Sequence, residues 1–238
     1  MEGFSYNNIF ETKGIEYIII LAFFAILIPF WIMLNRRMKS RRAKKLEGIL
    51  SPATLRIPQG VFFSRNHTWT HLERSGFAKV GLDDLLLKIT GDLEVSFQAA
   101  AGDTIRKGDL LAILTGGGRQ LHILSPISGT VEQPNTLLSE EPGRLSEDPF
   151  RLGWIYRIKP SDWIGETSGY HLAREATAWT SGELVRFKDF IMTSSAKNQA
   201  ANAGIILQDG GEIRQNTLAS MPDEMWKDFE KNFLSSTD

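Results

Sequence analysis

The chain has no cysteine, which removes disulfides, thiolate zinc sites, Fe–S ligation and cysteine nucleophiles from consideration. It also has no excess of charge of either sign. Lys and Arg number 27 against 28 Asp and Glu, a net charge of −1 with a pI near 6.5, so no overall basic field draws nucleic acid. Catalytic spacings are missing too. Asp83-Asp84 has no identifiable partner base and suits the start of a short helix. His67 and His71 alternate with Trp69 on one strand face, but no third ligand stands at fixed spacing to complete a metal site. Gly116-Gly117-Gly118 lacks the G-K-[ST] and following helix of a phosphate loop. The expectation is a protein that is not an enzyme and carries no cofactor or metal. With 238 residues, 42% of them hydrophobic, there is room for one soluble domain of roughly 100–200 residues plus further segments.

What is present begins with a nearly unbroken apolar run of 20 residues, Ile15 to Leu34. As a helix it matches the ~30 Å hydrocarbon core of a bilayer. Lys13 is the only basic residue upstream and no A-x-A-like cleavage site follows, so an uncleaved anchor is expected rather than a signal peptide. Immediately after the run stand Arg36, Arg37, Lys39, Arg41, Arg42, Lys44 and Lys45. The positive-inside rule then places the N-terminus outside and the main domain in the cytoplasm of a single-pass cell (inner or plasma) membrane protein. Arg36, Arg37, Arg41 and Arg42 can also meet anionic lipid headgroups. Gly48 to Pro58, with two X-Pro steps, reads as an extended linker.

From Val61 to Lys159 short apolar strands alternate with Gly, Pro, Asn and Asp turns, with one helical interruption near Leu82–Ile89, the pattern of a small β-barrel or sandwich. Phe63, Trp69, Phe77, Val80, Leu93, Val95, Phe97, Leu111, Ile113, Ile123, Ile127, Val131, Trp154 and Ile158 supply the expected core. Leu110–Leu114 and Leu121–Leu124 flank TGGGRQ and read as a β-hairpin with a glycine tip. Its surroundings carry ordered motifs: His67-Thr68-Trp69, Ala78-Lys79-Val80-Gly81-Leu82, Gly91-Asp92-Leu93, GD-x-I-x-KG-D-x-L from Gly102, SP-I-SG-T-V from Ser125, Glu147-Asp148-Pro149-Phe150 and Gly153-Trp154-Ile155. As a set, over Ile57 to about Asp162, they resemble the H protein of the glycine cleavage system, a member of the biotinyl/lipoyl-carrier fold.

That resemblance implies a lipoyl-bearing lysine within E-S-V-K, seven residues before the Ser of S-P-x-S-G. Here the four positions read Thr115-Gly116-Gly117-Gly118, and Gly118 stands where the lysine is expected. Neither glycine nor Arg119 offers an acylable amine, since guanidinium stays protonated. Lys107 is one strand away, and a register slip to bring it to the tip would turn every strand side chain to the other face. The domain is therefore expected not to carry a lipoyl arm.

Past Asp162 the chain continues. Leu184, Phe187, Phe190 and Ile191 fall at helical spacing within Gly182–Ser195, and Ile205–Gln208 and Glu212–Arg214 flank Asp209-Gly210-Gly211 as a hairpin. A last helix from about Pro222, with Ser220 and Asp223 at capping-box spacing, carries the stripe Trp226, Phe229 and Phe233. That stripe either packs on the domain or enters a partner's groove. The expected organisation is thus an extracytoplasmic arm (1–14), a transmembrane helix (15–34), a basic juxtamembrane segment and linker (35–58), an H-protein-like mainly β domain with peripheral helices (59–163), and an α+β extension (164–238). The expected function is that of a membrane-anchored, non-lipoylated scaffold or accessory subunit. Its partners would be the bilayer and one or more proteins, met through Gly116, Gly117, Gly118, Arg119 or the aromatic stripe. A genuine glycine-cleavage carrier and an unlipoylated export-type adaptor are the alternatives.

Overall fold

The computed structural model describes residues 17–31, 48–197 and 213–235, and the chain divides into two compact units, Met1–Gly48 and Ile49–Asp238. In the first unit residues 17–31 form one helix, α1, exposed along its whole described length. Among the described residues no helix is long and apolar enough to cross a membrane. The ends of the expected 15–34 span lie outside them, as do Arg36, Arg37, Arg41 and Arg42.

The second unit is a sandwich of two antiparallel sheets. In the larger sheet the strands β1 (Phe62–Phe63), β2 (Thr68–Leu72), β3 (Ala78–Leu82), β5 (Thr104–Ile105), β8 (Gly129–Pro134), β9 (Trp154–Pro160) and β10 (His171–Leu172) run in the order β10-β1-β2-β3-β9-β8-β5. In the smaller, β6 (Leu110–Gly116) lies between β4 (Glu94–Phe97) and β7 (Arg119–Leu124). Alternation does its work locally: along β7, Leu121 and Ile123 turn inward while Gln120 and His122 face out. The helix α2 (Asp84–Thr90) starts where Asp83 accepts the Leu86 amide at 2.7 Å and stops at Gly91, whose φ is +81°. Its Leu85, Leu86, Leu87 and Ile89 are all buried. Of the expected core, Phe77, Phe97, Ile113 and Trp154 are only half-buried, and Phe77 carries the Arg157 guanidinium at 4.5 Å from its ring centre.

Three expectations change. Residues 49–58 are not a free linker: Leu50 and Leu55 are buried, and Arg56 donates from Nε and Nη2 to Asp84 at 2.8 and 2.6 Å. Asp84 is buried and also meets Lys88 at 2.9 Å, so releasing Arg56 would strip a buried carboxylate of a charge partner. The helix expected from Gly182 starts earlier, as α6 (Ala173–Lys197), because the Ala-rich segment before Gly182 favours helix and Ala176 finds a buried seat beside Val61, Phe63 and Trp69. The hairpin expected around Asp209 lies outside the described residues, apart from Ile213, which is buried, and Arg214, which bridges to Ile49. The minor helices α3 (Leu137–Glu140), α4 (Arg144–Glu147) and α5 (Trp163–Thr167) fill corners, and α7 (Asp223–Phe229) passes into a wider turn, Glu230–Leu234. Ser220 does not close a capping box on α7. Its hydroxyl donates to Thr217, and Pro222 occupies the cap position.

Candidate functional site

The β6–β7 hairpin ends in the two-residue loop Gly117-Gly118, closed by Gly116 opposite Arg119. Their φ angles, +59° and +79°, are the left-handed pair of a type I′ turn, whose twist matches the flanking strands. A Cβ at either would meet nothing within 4 Å, so the tip has space for a side chain but a backbone suited to glycine. At Gly116 the demand is steric, since a Cβ would stand 2.7 Å from Leu93 and 2.9 Å from the Asp92 carbonyl.

Arg119 is engaged by its own chain. Its Nε donates to Asp223 at 2.7 Å, Nη1 donates to the Ala219 carbonyl at 2.8 Å, and the guanidinium lies 5.6 Å over the Trp226 ring. Further along β7, His122 donates its main-chain N–H to Glu230 at 2.8 Å, and its Nδ1 lies 2.6 Å from the same oxygen. β7 is an edge strand, and this carboxylate covers a donor that would otherwise be open to pairing with another chain. The aromatic stripe is corrected from a possible docking face to an internal one. Trp226, Phe229 and Phe233 are buried; Phe229 stacks on Phe233 at 4.7 Å, and both meet Phe187 of α6 edge-on. Trp226 keeps its indole N–H satisfied by donating to the Leu218 carbonyl at 2.7 Å. Within the chain the three rings remove their apolar area from water without waiting for a partner.

A family model described as "Glycine cleavage H-protein" matches residues 61–179. The glycine cleavage system H protein of Xanthomonas oryzae pv. oryzae is 32% identical over 106 residues, covering 44% of this chain and 81% of that protein. Its counterpart from Halorhodospira halophila is 31% identical, covering 44% and 82%. A crystal structure of a glycine cleavage system H protein from Mycobacterium marinum aligns over 53% of this chain and 99% of its own, at 22% identity and a TM-score of 0.46. The chain belongs to the glycine cleavage H-protein family.

In this H-protein family member the Ser125–Gly129 segment is tied to the residues that follow β9. Ser128 donates its main-chain N–H to Glu166 at 2.6 Å, and the Tyr170 hydroxyl donates to the Pro126 carbonyl. Lys107 lies before the start of β6, at the end remote from the tip, where its Nζ donates to the Glu166 carbonyl at 3.3 Å and sits 5.0 Å over Tyr170. It is not a tip lysine.

A buried titratable centre of this chain lies elsewhere, at His67. Its φ is +57°, its Nδ1 is 2.7 Å from Asp83 and its Nε2 is 3.5 Å from Glu183 of α6, with Trp179 and Phe233 packed against the ring. Burial alone would push its pKa down, but the charge and hydrogen bond of Asp83, with help from Glu183, hold it up at about 9. Burial likewise favours the protonated Glu183, yet His67 and Arg186 keep that carboxyl below its ordinary value. Arg186 also donates to the Asn232 carbonyl, so one ionic chain runs from the sandwich through α6 to the C-terminal turn. His67 and His71 do not converge: the His71 Nδ1 lies 3.0 Å from the Gly60 carbonyl, and among the described residues no group of three ligating side chains is arranged to hold a metal ion. The sequence singled out His67 as a histidine beside Trp69, but neither its close partner Asp83 nor the more distant Glu183 left a signal in any local spacing.

Proposed function

We propose that this H-protein family member is a non-lipoylated, membrane-anchored accessory or scaffold subunit of a membrane-associated assembly. The observation that carries the reading is the side-chain-free Gly117-Gly118 turn. By the family resemblance a carrier lysine belongs at position 118, and Gly118 offers no atom to which an arm can be attached. The neighbouring Arg119 is held by Asp223 and Ala219, which suits a fixed tip better than a swinging one. The chain is not itself an enzyme on this reading, and its partners are proteins and lipid rather than nucleic acid. The anchor is supported by the apolar run Ile15–Leu34, of which residues 17–31 are helical with every side chain exposed; a helix apolar on all sides needs hydrocarbon around it. The seven basic residues that follow support an outside N-terminus and a cytoplasmic main domain, with Arg36, Arg37, Arg41 and Arg42 at the headgroups.

Co-expression with lipoylating enzymes, followed by intact mass measurement, tests the central point. The wild-type chain should remain unmodified, whereas Gly118→Lys should be modified in part. The new side chain has room, but a φ of +79° costs an L-residue about 1–2 kcal/mol. A lipoyl adduct on the wild-type chain would overturn the scaffold reading in favour of a genuine glycine-cleavage carrier, the alternative that the relatives' names favour. Topology is tested with single cysteines at positions Ser5 and Ser236 and an impermeant thiol reagent on intact cells. Only the first should label; the reverse pattern would invert the orientation and favour an export-type adaptor.

A further inference from the structure

A cleft of 510 Å³ opens beside the glycine turn, between the start of β4, the end of β6 and the loop at Gly143. Its apolar lining comes from Leu87, Leu93 and Leu145, whose side chains are buried. Asp92 and Glu94 stand exposed at the same cleft, and no cation among the described residues pairs with either. Thr115, directly across the strands from Glu94, adds no charge of its own. One wall is Gly116-Gly117-Gly118, which contributes backbone alone, and Gly91, Pro142, Gly143 and Ser146 complete the lining. We propose that this cleft binds an alkyl cation, and that its occupant is a lysine side chain presented by a partner protein.

A lysine needs apolar surface along its methylene stem and an anionic or aqueous setting for its head, and buried leucines beside two exposed carboxylates supply both. Two like charges left uncompensated next to a low-dielectric lining also raise the local attraction for a cation. The polypeptide source follows from the turn. Where a Cβ would stand on Gly117 or Gly118 there is open space, so a partner's backbone can pass at contact distance while its side chain enters the cleft. The inference takes from the scaffold reading only that a protein partner exists; the mass measurement tests that reading separately and does not touch the cleft.

The test is a titration of the full-length chain, methyl-labelled at leucine and held in detergent, with the peptide acetyl-Gly-Lys-Gly-amide. Saturable shifts are expected at Leu87, Leu93 and Leu145, and norleucine in place of lysine should abolish most of them. The double variant Asp92→Asn, Glu94→Gln should bind the lysine peptide about tenfold more weakly, the combined effect of two rim ion pairs. Both positions are exposed, so the variant's circular dichroism should match wild type. Absence of a saturable shift, equal response to the norleucine peptide, or unchanged affinity in the double variant would each overturn the site. Binding of n-butylamine as tight as that of the peptide would overturn the assignment to a partner protein and give the cleft to a free amine.

Discussion

Trp226→Ala should destabilise the folded unit by about 3–5 kcal/mol, the range for deleting a large buried aromatic side chain. Trp226 is 3% exposed, and its loss would open a void beside Leu218, whose carbonyl its indole N–H holds. Two further contacts go with it: the Leu218 carbonyl loses its donor, and the Arg119 guanidinium loses the ring beneath it. Trp226→Phe separates these effects, because it retains much of the volume and leaves the carbonyl unpaired, for a cost of about 1–3 kcal/mol. Denaturant midpoints of the full-length chain, read by near-UV circular dichroism, make the comparison. An unchanged midpoint in Trp226→Ala would mean that the ring is not part of the core. The outcome also bears on function. If the C-terminal segment is an integral part of the sandwich, the aromatic stripe is not open to a partner, and the proposed contacts are left to the glycine tip and its cleft.

His67 should make stability fall on the alkaline side. Its folded pKa, about 9, lies above the ordinary value of 6.5, so the stabilisation is fully present below pH 6.5 and is lost as pH rises through 9. The total is on the order of 3 kcal/mol. Glu183 acts in the opposite sense: its carboxyl is held below the ordinary value, so its contribution is lost as pH falls through the acid range. His67→Ala should cost about 3–5 kcal/mol near neutral pH, since it leaves Asp83 and Glu183 without the charge between them. His67→Asn is the sharper variant. Asparagine tolerates the left-handed backbone that His67 adopts but cannot carry its charge, so the alkaline decline should disappear while the backbone is kept. A wild-type decline that persists unchanged in His67→Asn would assign it to another group.

Much of the fold was legible in local sequence. Alternation around Leu121 and Ile123, the doubled glycine between two apolar runs, and Asp83 ahead of a leucine-rich turn each specify their own backbone, because strand faces, I′ turns and helix caps are decided by residues within a few positions of one another. The ordered motifs brought the family into view for the same reason, and the three glycines at the tip are visible in the sequence without any coordinates. What the tertiary structure alone decided is where the faces meet. An apolar stripe such as Trp226, Phe229 and Phe233 declares that it must be buried, not against what, and only the structure showed it closing on Phe187. Arg119 and Asp223 are 104 residues apart, and His122 and Glu230 are 108 apart, separations that leave no period in the sequence. Arg56 likewise reads as linker until it is seen on Asp84, and His67 reads as a strand histidine until α6 brings Glu183 to it. Burial and ion pairing are properties of surfaces brought together from distant parts of the chain, so they exist only once the chain has packed.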